Sequence, residues 1–246
     1  MRIMELLRER KSVEIAELSQ LFIVAQETIR RDLKKLEEEG QLKRTHGGAT
    51  TEGRQTIAPL SARAESKREE KERIGRRALD FVKEGDRIII DGGTTTLQLA
   101  RALQSSRRQS VVVTNALNIA LELAGSPELT VEMVGGTLSE SSLTLLGPEA
   151  ERALVHYRVN TAFLAASGVT SQWGLAISNS FEAAVKQAMM EAAGEVVLLV
   201  DSSKLGKEGL VSYAPLRKVA RIITDKGADP KIIDAIARSG VDIELV

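Results

Sequence analysis

Two adjacent arginines stand in the segment Glu27–Leu33, which reads Glu-Thr-Ile-Arg-Arg-Asp-Leu. Ile29, Leu33 and Leu36 recur at intervals of four and three residues, the spacing of one buried stripe on a helix. The polar side chains left for the other faces are those of Gln26, Thr28, Arg30, Arg31, Lys34 and Lys35. Because amide, hydroxyl and guanidinium groups bond to base edges and phosphates in a DNA groove, this helix predicts DNA recognition.

A simpler interpretation of the same arginines is a solvated helix surface. Arg31 stands four residues after Glu27, and an exposed ion pair at that spacing contributes only about 0.3–0.5 kcal/mol. The arginines alone do not decide between a solvated surface and a DNA-contacting one.

A second group of polar residues is Asp91-Gly92-Gly93-Thr94-Thr95-Thr96, between a predicted strand and a predicted helix. Glycines let a ligand approach the backbone, and the first turn of a helix offers N–H groups without intrahelical partners. Threonine hydroxyls add donors, so the loop suits a phosphate group. The same residues are also compatible with a plain tight connection, and they match neither a Walker loop nor a dinucleotide fingerprint.

Similar loops follow other predicted strands. These are Thr114-Asn115, Gly135-Gly136-Thr137, Ala166-Ser167-Gly168 and Asp201-Ser202-Ser203-Lys204. Ligands of open α/β sheets bind at the carboxyl ends of the strands, so these loops predict a pocket along one edge. Lys204 is either a cationic partner for a phosphate or carboxylate, or an exposed loop lysine.

Three helices and a hairpin are predicted at the N-terminus. The first helix spans Arg2–Arg10, Ser12 is the predicted N-cap of the second, and the third ends near Gly40. Gln41–Ala49 predicts a short strand and a glycine turn. Together they indicate a winged helix-turn-helix over residues 1–57, whose wing places Lys43, Arg44 and His46 either beside the DNA phosphates or in the minor groove.

Residues 58–84 are predicted to join this domain to the next. The stretch from Thr50 to Leu60 has no apolar period and indicates a linker. Ser66–Val82 is strongly charged, with Ile74, Ala78 and Phe81 as its apolar stripe. It predicts a helix that is either a solvated connection or a coupling element between the domains.

From residue 85 to residue 246 the pattern alternates between apolar β-branched runs and helical stretches. The alternation predicts an α/β domain with a mostly parallel sheet and helices on both faces. The predicted helices are Thr96–Leu103, Ala116–Ala124, Phe181–Ala193 and Pro230–Arg238. The predicted strands are Arg87–Asp91, Ser110–Thr114, Thr130–Val134, Thr161–Ala165, Val196–Asp201, Arg221–Thr224 and Asp242–Val246.

Composition excludes several classes of protein. The chain of 246 residues has zero net charge and no cysteine, which rules out disulfides, thiolate metal sites and a cysteine nucleophile. No apolar run approaches the roughly 20 residues that span a bilayer, and the charged N-terminus is not that of a signal peptide. We therefore expect a cytoplasmic protein without membrane contact.

The run from Val24 to Ala49 resembles the DNA-binding domain of the DeoR family of bacterial transcriptional regulators. The matching blocks are Glu27–Leu33, Leu36-Glu37, Gly40 and Arg44–Ala49. Two positions depart from the family pattern: Ala25 replaces a usual serine, and Ile23 replaces a small or polar turn residue. The missing serine cap predicts a loss of about 1 kcal/mol at the start of the helix.

Seven further blocks resemble the effector domain of the same family, so the resemblance covers nearly the whole chain. They are Asp91–Thr96, Val113–Asn115, Gly135–Leu138, Leu146–Pro148, Ala162–Leu164, Ser167-Gly168 and Asp201–Gly206. It implies a fold similar to ribose-phosphate isomerase and glucosamine-phosphate deaminase, and a phosphorylated sugar as effector. Leu205 stands where an aromatic residue is usual, which affects local packing only. The effector residues that the resemblance implies are Asp91, Gly92, Gly93, Thr94, Thr95, Thr96, Asn115, Gly136, Ser167, Gly168 and Lys204.

Two functions are compatible with these patterns. Sugar isomerisation needs a carboxylate base beside the phosphate anchor, and the matched loops offer only Asp91, which we expect to order its loop, and Asp201. His46 lies in the predicted wing and His156 in a predicted helix, and neither spacing predicts a metal site. We therefore predict a repressor of sugar or carbohydrate metabolism genes that binds double-stranded DNA as a homodimer or homotetramer, without cofactor. The alternative is retained isomerase or deaminase activity.

Overall fold

A computed structural model describes residues 2–10, 12–38, 42–45, 47–50 and 60–246. The contacts divide the chain into two compact units, Met1–Ala58 and Pro59–Val246. His46, Gly40 and most of the predicted linker lie outside the described residues, and so does the side chain of Lys43.

The first unit consists of three helices and a small sheet. Its core is formed by the apolar faces of the helices, among them the fully buried Leu7, Leu18 and Leu33. Its sheet has the order β1-β3-β2, with both pairs antiparallel. The elements are α1 (Arg2–Arg10), β1 (Ser12–Glu14), α2 (Ile15–Phe22), α3 (Gln26–Glu38), β2 (Lys43–Arg44) and β3 (Gly48–Thr50).

The predicted N-cap at Ser12 is wrong. Ser12 begins strand β1 and pairs with Thr50, and the N-cap of α2 is Glu14, whose side chain makes no capping bond. The amide of Ile15 instead donates to the carbonyl of Gly47 at 2.9 Å. Pairing with the wing, a contact distant in sequence, therefore replaces the local capping interaction.

The second unit is built on a seven-stranded sheet of order β15-β14-β12-β9-β4-β5-β6, in which all neighbours are parallel. The prediction of a mostly parallel α/β sheet is confirmed. The strands are β4 (Arg87–Ile90), β5 (Ser110–Thr114), β6 (Leu129–Met133), β9 (Val159–Leu164), β12 (Ala193–Leu199), β14 (Arg221–Thr224) and β15 (Asp242–Leu245).

Helices cover both faces of this sheet because its strands alternate apolar side chains between two cores. Ile88 and Ile90 belong to one apolar cluster, and Ile89 between them belongs to the other. One face carries α5 (Arg68–Leu79), α6 (Thr96–Ser106) and α7 (Leu117–Leu123), and the other carries α8 (Pro148–Val155), α9 (Ser180–Ala192) and α10 (Pro230–Ala237).

Two smaller sheets were not expected from the sequence. One is the antiparallel pair β7 (Thr137–Ser139) and β8 (Thr144–Leu146). The other has the order β10-β11-β13 and comprises β10 (Gly168–Thr170), β11 (Gly174–Ile177) and β13 (Val211–Ala214). Their strands have three or four residues, too few to show a clear alternation.

The charged helix predicted over residues 66–82 is part of the second unit and not a separate connection. Helix α4 (Leu60–Glu65) precedes α5, and Ile74 and Ala78 of α5 are fully buried in the core with α6. Its charges occupy the outer face while its predicted apolar stripe packs inward. No helix in the described part of the chain is long and apolar enough to cross a membrane.

Candidate functional site

Helix α3 presents its polar groups as the sequence predicts. Ile29 and Leu33 are 1% and 0% exposed, and Leu36 packs partly buried against the same core. The opposite faces are open to solvent, because one stripe alone anchors the helix. The exposed residues include Gln26, Thr28, Arg30, Arg31 and Lys34.

The ion pair on this helix involves the other arginine. Arg30 Nη1 lies 3.1 Å from Glu27 Oε2, at a spacing of three residues, so Arg30 and not Arg31 pairs with Glu27. Arg31 has no polar partner among the described residues and is exposed. Its guanidinium can therefore bond to DNA without first breaking an intramolecular pair.

Of the three predicted wing contacts, the structure describes the side chain of Arg44 only. The side chain of Arg44 is half-buried, and its Nε is buried without a hydrogen-bond partner in the described part of the chain. The Arg44 amide donates to Glu37 Oε1 at 2.8 Å, which ties the wing to α3. A Cβ on Gly48 would lie 1.9 Å from the Val13 carbonyl oxygen, so only glycine fits where the wing crosses β1.

The chain enters α3 through two unfavourable positions, Ile23 and Ala25, which are the two departures from the family pattern. Ile23 has φ 55°, a left-handed conformation that is costly for a β-branched residue, and it is 90% exposed. Ala25 has no side-chain acceptor, although its carbonyl accepts from the amides of Thr28 and Ile29. The helix therefore starts without a side-chain cap from Ala25.

In the second unit, the loop after β4 leads directly into α6. Within the described residues, no acceptor meets the backbone N–H groups of residues 93–96. These groups are at the N-terminus of an 11-residue helix, where its dipole favours negative charge. The loop therefore has the chemistry of an anion site.

Close packing explains why this loop contains glycines. A Cβ on Gly92 would lie 2.1 Å from the Thr144 methyl carbon, and one on Gly93 would lie 2.8 Å from the Ala165 Cβ. Asn115, from the end of β5, accepts from the Gly92 amide at 3.2 Å and donates to the Leu145 carbonyl at 3.3 Å. Three strand ends thus converge on the loop.

The position of the loop in the sheet favours ligand binding. In the large sheet, the chain runs from β4 to its neighbour β5 and from β9 to β12 on the opposite side, so the connections diverge between β4 and β9 and open a crevice at their carboxyl ends. Lys204 ends a short 3-10 turn after β12, and β9 separates β12 from β4. Two strand spacings separate the backbones by roughly 10 Å, a gap that the flexible side chain of Lys204 can reach across toward a phosphate at residues 93–96.

A buried charge cluster lies directly beneath the loop. Asp91, 2% exposed, forms an ion pair with Lys186 of α9 and accepts from the Ala165 amide at 2.9 Å. Lys186 Nζ and the Tyr213 hydroxyl both donate to the Ala165 carbonyl, at 3.0 and 3.1 Å. Burial, together with the charge of Asp91, raises the pKa of Tyr213 well above its ordinary value. The Asp91 carboxylate therefore holds Lys186 and the loop that follows β9, and not the N–H groups of its own loop as the sequence led us to expect.

The remaining predicted effector residues lie around the same edge. Ser167 donates its amide to the Ala176 carbonyl, and Gly168 packs against the Lys207 carbonyl, three residues after Lys204. Gly136 is exposed at φ 127°, beside the Leu146 backbone. Among the described residues, no group of Asp, Glu and His side chains could hold a metal ion.

The sequence interpretation missed Lys186, Tyr213 and Thr144. Lys186 carried a usable signal, since it stands on the apolar stripe of α9, three residues after Ala183 and three before Met189. A charged residue on a buried stripe indicates a buried partner. Thr144 and Tyr213 carried no such signal, because their roles depend on which loops meet.

Two family models cover most of the chain. The DeoR-like helix-turn-helix domain matches residues 1–55, and the DeoR C terminal sensor domain matches residues 66–226. The chain belongs to the DeoR family. This DeoR-family protein is a DNA-binding transcriptional regulator with a sensor domain, as the resemblance implied.

Curated relatives match over nearly their full length. An uncharacterized HTH-type transcriptional regulator, YulB, of Bacillus subtilis (strain 168) is 39% identical over 100% of this chain and 95% of its own. The HTH-type transcriptional repressor GlcR of the same organism is 32% identical over 98% and 93%. These relatives are named as regulators, which confirms the prediction of a regulator and not an isomerase.

A solved structure of ribose 5-phosphate isomerase A from Methanocaldococcus jannaschii is a distant match. It is 19% identical, with a TM-score of 0.40, over 56% of this chain and 54% of that one. A likeness of this size does not bear on activity. The carboxylates near the loop also have structural partners: Asp91 pairs with Lys186, and Asp201 accepts from the Ser203 amide at 3.0 Å.

Proposed function

We propose that this protein is a repressor of sugar or carbohydrate metabolism genes whose operator affinity is set by a phosphorylated sugar. The observation that carries the proposal is that the N–H groups of residues 93–96 meet no acceptor in the described ranges, at the point where the sheet connections diverge. Lys204 supplies a cation on the same edge. The name of the transcriptional repressor GlcR supports repression as the mode of regulation.

On the DNA side, α3 lies in the major groove and Gln26, Thr28, Arg30 and Arg31 contact the operator. Each specific base contact contributes about 1–3 kcal/mol of discrimination. Lys34, Lys43, Arg44 and His46 add phosphate contacts, which make the affinity depend on salt. A homodimer or homotetramer presents paired copies of α3 to a palindromic or repeated operator.

We propose that the protein has two arrangements, one with higher and one with lower affinity for the operator. Effector binding changes operator affinity only if these two arrangements bind the effector with different affinities. In this proposal, the phosphate is held by the N–H groups of residues 93–96 and by Lys204. The sugar lies toward Asn115, Gly136, Ser167 and Gly168. Asp91 lies beneath the site and pairs with Lys186.

Thermal stabilisation by a panel of phosphorylated sugars, each beside its free sugar, tests the effector site. A ligand at 100 times its dissociation constant adds about 2.7 kcal/mol to the free energy of unfolding. We expect one phosphate ester to raise the melting temperature and its free sugar to have no effect. No shift with any ester would refute the proposed site.

Lys204→Ala separates effector binding from DNA binding. We expect this variant to lose the melting shift while keeping wild-type affinity for an operator selected from a random DNA library. Lys207→Ala, which removes an exposed lysine three residues away, is the matched control and should keep both properties. Loss of operator affinity in Lys204→Ala would contradict the division of roles between the two units.

A further inference from the structure

Residues 60–71, which we call the elbow, comprise α4, the turn after it and the start of α5. The elbow is the first described segment of the second unit. Lys67 forms its corner with φ 52°, a left-handed conformation without glycine. Arg63 and Lys71 flank that corner, and with Lys67 and the more exposed Arg68 they place four cations in nine residues.

Two of these cations bind loops at the carboxyl edge of the sheet. Arg63 Nη2 donates to the Ser141 carbonyl at 2.8 Å, in the turn between β7 and β8. Lys67 Nζ donates to Ser202 Oγ at 2.7 Å and lies 3.5 Å from Asp225 Oδ2. The elbow therefore connects loops that are otherwise distant in sequence.

The same loops hold the proposed effector site. Ser142, next to Ser141, shares a hydrogen bond of 2.7 Å with the hydroxyl of Thr144, whose methyl group packs against Gly92. Ser202 stands in the same 3-10 turn as Lys204. Each end of the proposed phosphate site is thus one or two contacts from the elbow.

The ion pair of Lys67 is well supported at the sheet edge. Burial would raise the pKa of Asp225, but hydrogen bonds from Ser202 and Gly227 and the nearby Lys67 ammonium outweigh it and lower the pKa. Asp225 is 2% exposed and accepts from the Ser202 amide at 2.6 Å. The carboxylate therefore stays charged and holds both the Ser202 turn and the elbow.

The third cation is crowded by like charges. Lys71 is 3% exposed and donates to the carbonyls of Arg63 and Ser66, which closes the corner. Burial lowers its pKa; Asp201 and, less strongly, Glu70 oppose this, while Lys204 and Arg63 lower it further. An anion bound beside Lys204 would relieve this repulsion, because it adds negative charge among three cations.

We propose that Arg63 and Lys67 are positioning residues of the effector site and that the elbow is its coupling element. An anion held by residues 93–96 and Lys204 tightens the docking of the elbow on the sheet edge. Because the chain enters the sensor unit through the elbow, this docking transmits effector occupancy toward the helix-turn-helix. The inference rests on the effector site proposed above.

Hydrogen exchange of the full chain tests it, with inorganic phosphate as the probe against chloride at equal ionic strength. We expect phosphate to slow exchange of the elbow amides at least about fivefold, the lower end of typical coupling between linked sites. Lys67→Met and Arg63→Gln should lose this slowing and bind phosphate at least about fivefold more weakly, by reciprocity.

Conservative variants and a control separate coupling from general stability. Lys67→Arg should keep the slowing of elbow exchange by phosphate. A variant that only destabilises the elbow would exchange faster both with and without phosphate, and phosphate would still slow its exchange. Lys83→Met, which removes an exposed lysine before the start of β4, should behave as wild type.

The possible failures are distinguishable. Phosphate that protects residues 92–96 but leaves elbow exchange unchanged would overturn this inference and leave the proposed site intact. Equal slowing of the elbow in wild type and in Lys204→Ala would also overturn it, since phosphate would then bind the elbow alone. No phosphate-dependent protection anywhere in the wild type would refute the proposed site and the inference together.

Discussion

The helix proposed to contact DNA and the loops proposed to hold the effector are built in opposite ways. Helix α3 carries its functional groups on one continuous segment, exposed to solvent and anchored by one apolar stripe. The effector loops come from several strands, and Asp91, Thr96 and Asn115 are almost fully buried. The first site depends on local periodicity, whereas the second depends on how distant parts of the chain meet.

The ion pairs show the same difference. The side chains of Arg30 and Glu27 are 46% and 75% exposed, so their pair contributes little to stability. Those of Lys186 and Asp91 are 5% and 2% exposed, so removal of one partner leaves a charge without compensation in the core. Substitutions in the buried Lys186–Asp91 pair should therefore lower the stability of the protein. Substitutions on the exposed face of α3 should lower DNA binding.

The largest effect is expected for Lys186→Met. Removing one partner of a buried pair costs about 3–5 kcal/mol, because Asp91 would stay buried and unpaired. Urea denaturation should show this loss as a lower free energy of unfolding. The double variant Asp91→Leu/Lys186→Met should recover part of it, and a single variant as stable as wild type would show that the pair is unimportant.

Gly92→Ala should have the next largest effect in the sensor unit. The new Cβ would lie 2.1 Å from the Thr144 methyl carbon, and such overpacking costs about 1–3 kcal/mol. We also expect weaker stabilisation by phosphate esters, since the loop must shift. Gly135→Ala is the control, because nothing lies within 4 Å of its added Cβ. Equal melting temperatures for the two variants would contradict the packing argument.

Arg31→Ala should weaken operator binding by about 1–3 kcal/mol if Arg31 contacts a base, without changing the free energy of unfolding. Fluorescence anisotropy against salt concentration gives both the affinity and its salt dependence. Arg152→Ala, which breaks an exposed pair on α8, should bind the operator normally. Unchanged affinity in Arg31→Ala would remove this residue from the DNA contacts.

The smallest effect is expected at the entry of α3. Ala25→Ser should stabilise the first unit by about 1 kcal/mol, because serine can accept an N–H bond at the start of the helix. Thermal unfolding measures the gain, and Ala25→Val, which has no acceptor, is the control. A serine variant no more stable than wild type would show that water already satisfies those amides.

Much of the fold could be predicted from the sequence, and the errors have particular causes. All seven strands of the large sheet were predicted, because buried parallel strands form continuous apolar runs. Ser12 was wrongly assigned as a cap because its strand partner, Thr50, is 38 residues away. The helix at residues 68–79 was predicted, but its burial against α6 was not, because its charges outnumber its apolar residues.

The sequence by itself determined the family, the exposed face of α3 and the loop at residues 91–96, because each depends on neighbours within a few positions. Only the tertiary structure decided that Lys186 neutralises Asp91, that Thr144 packs on Gly92 and that Arg63 and Lys67 bind the sheet edge. The physical reason is that a buried charge or a close contact depends on its partner in space. Nothing in the local sequence identifies a partner up to 135 residues away.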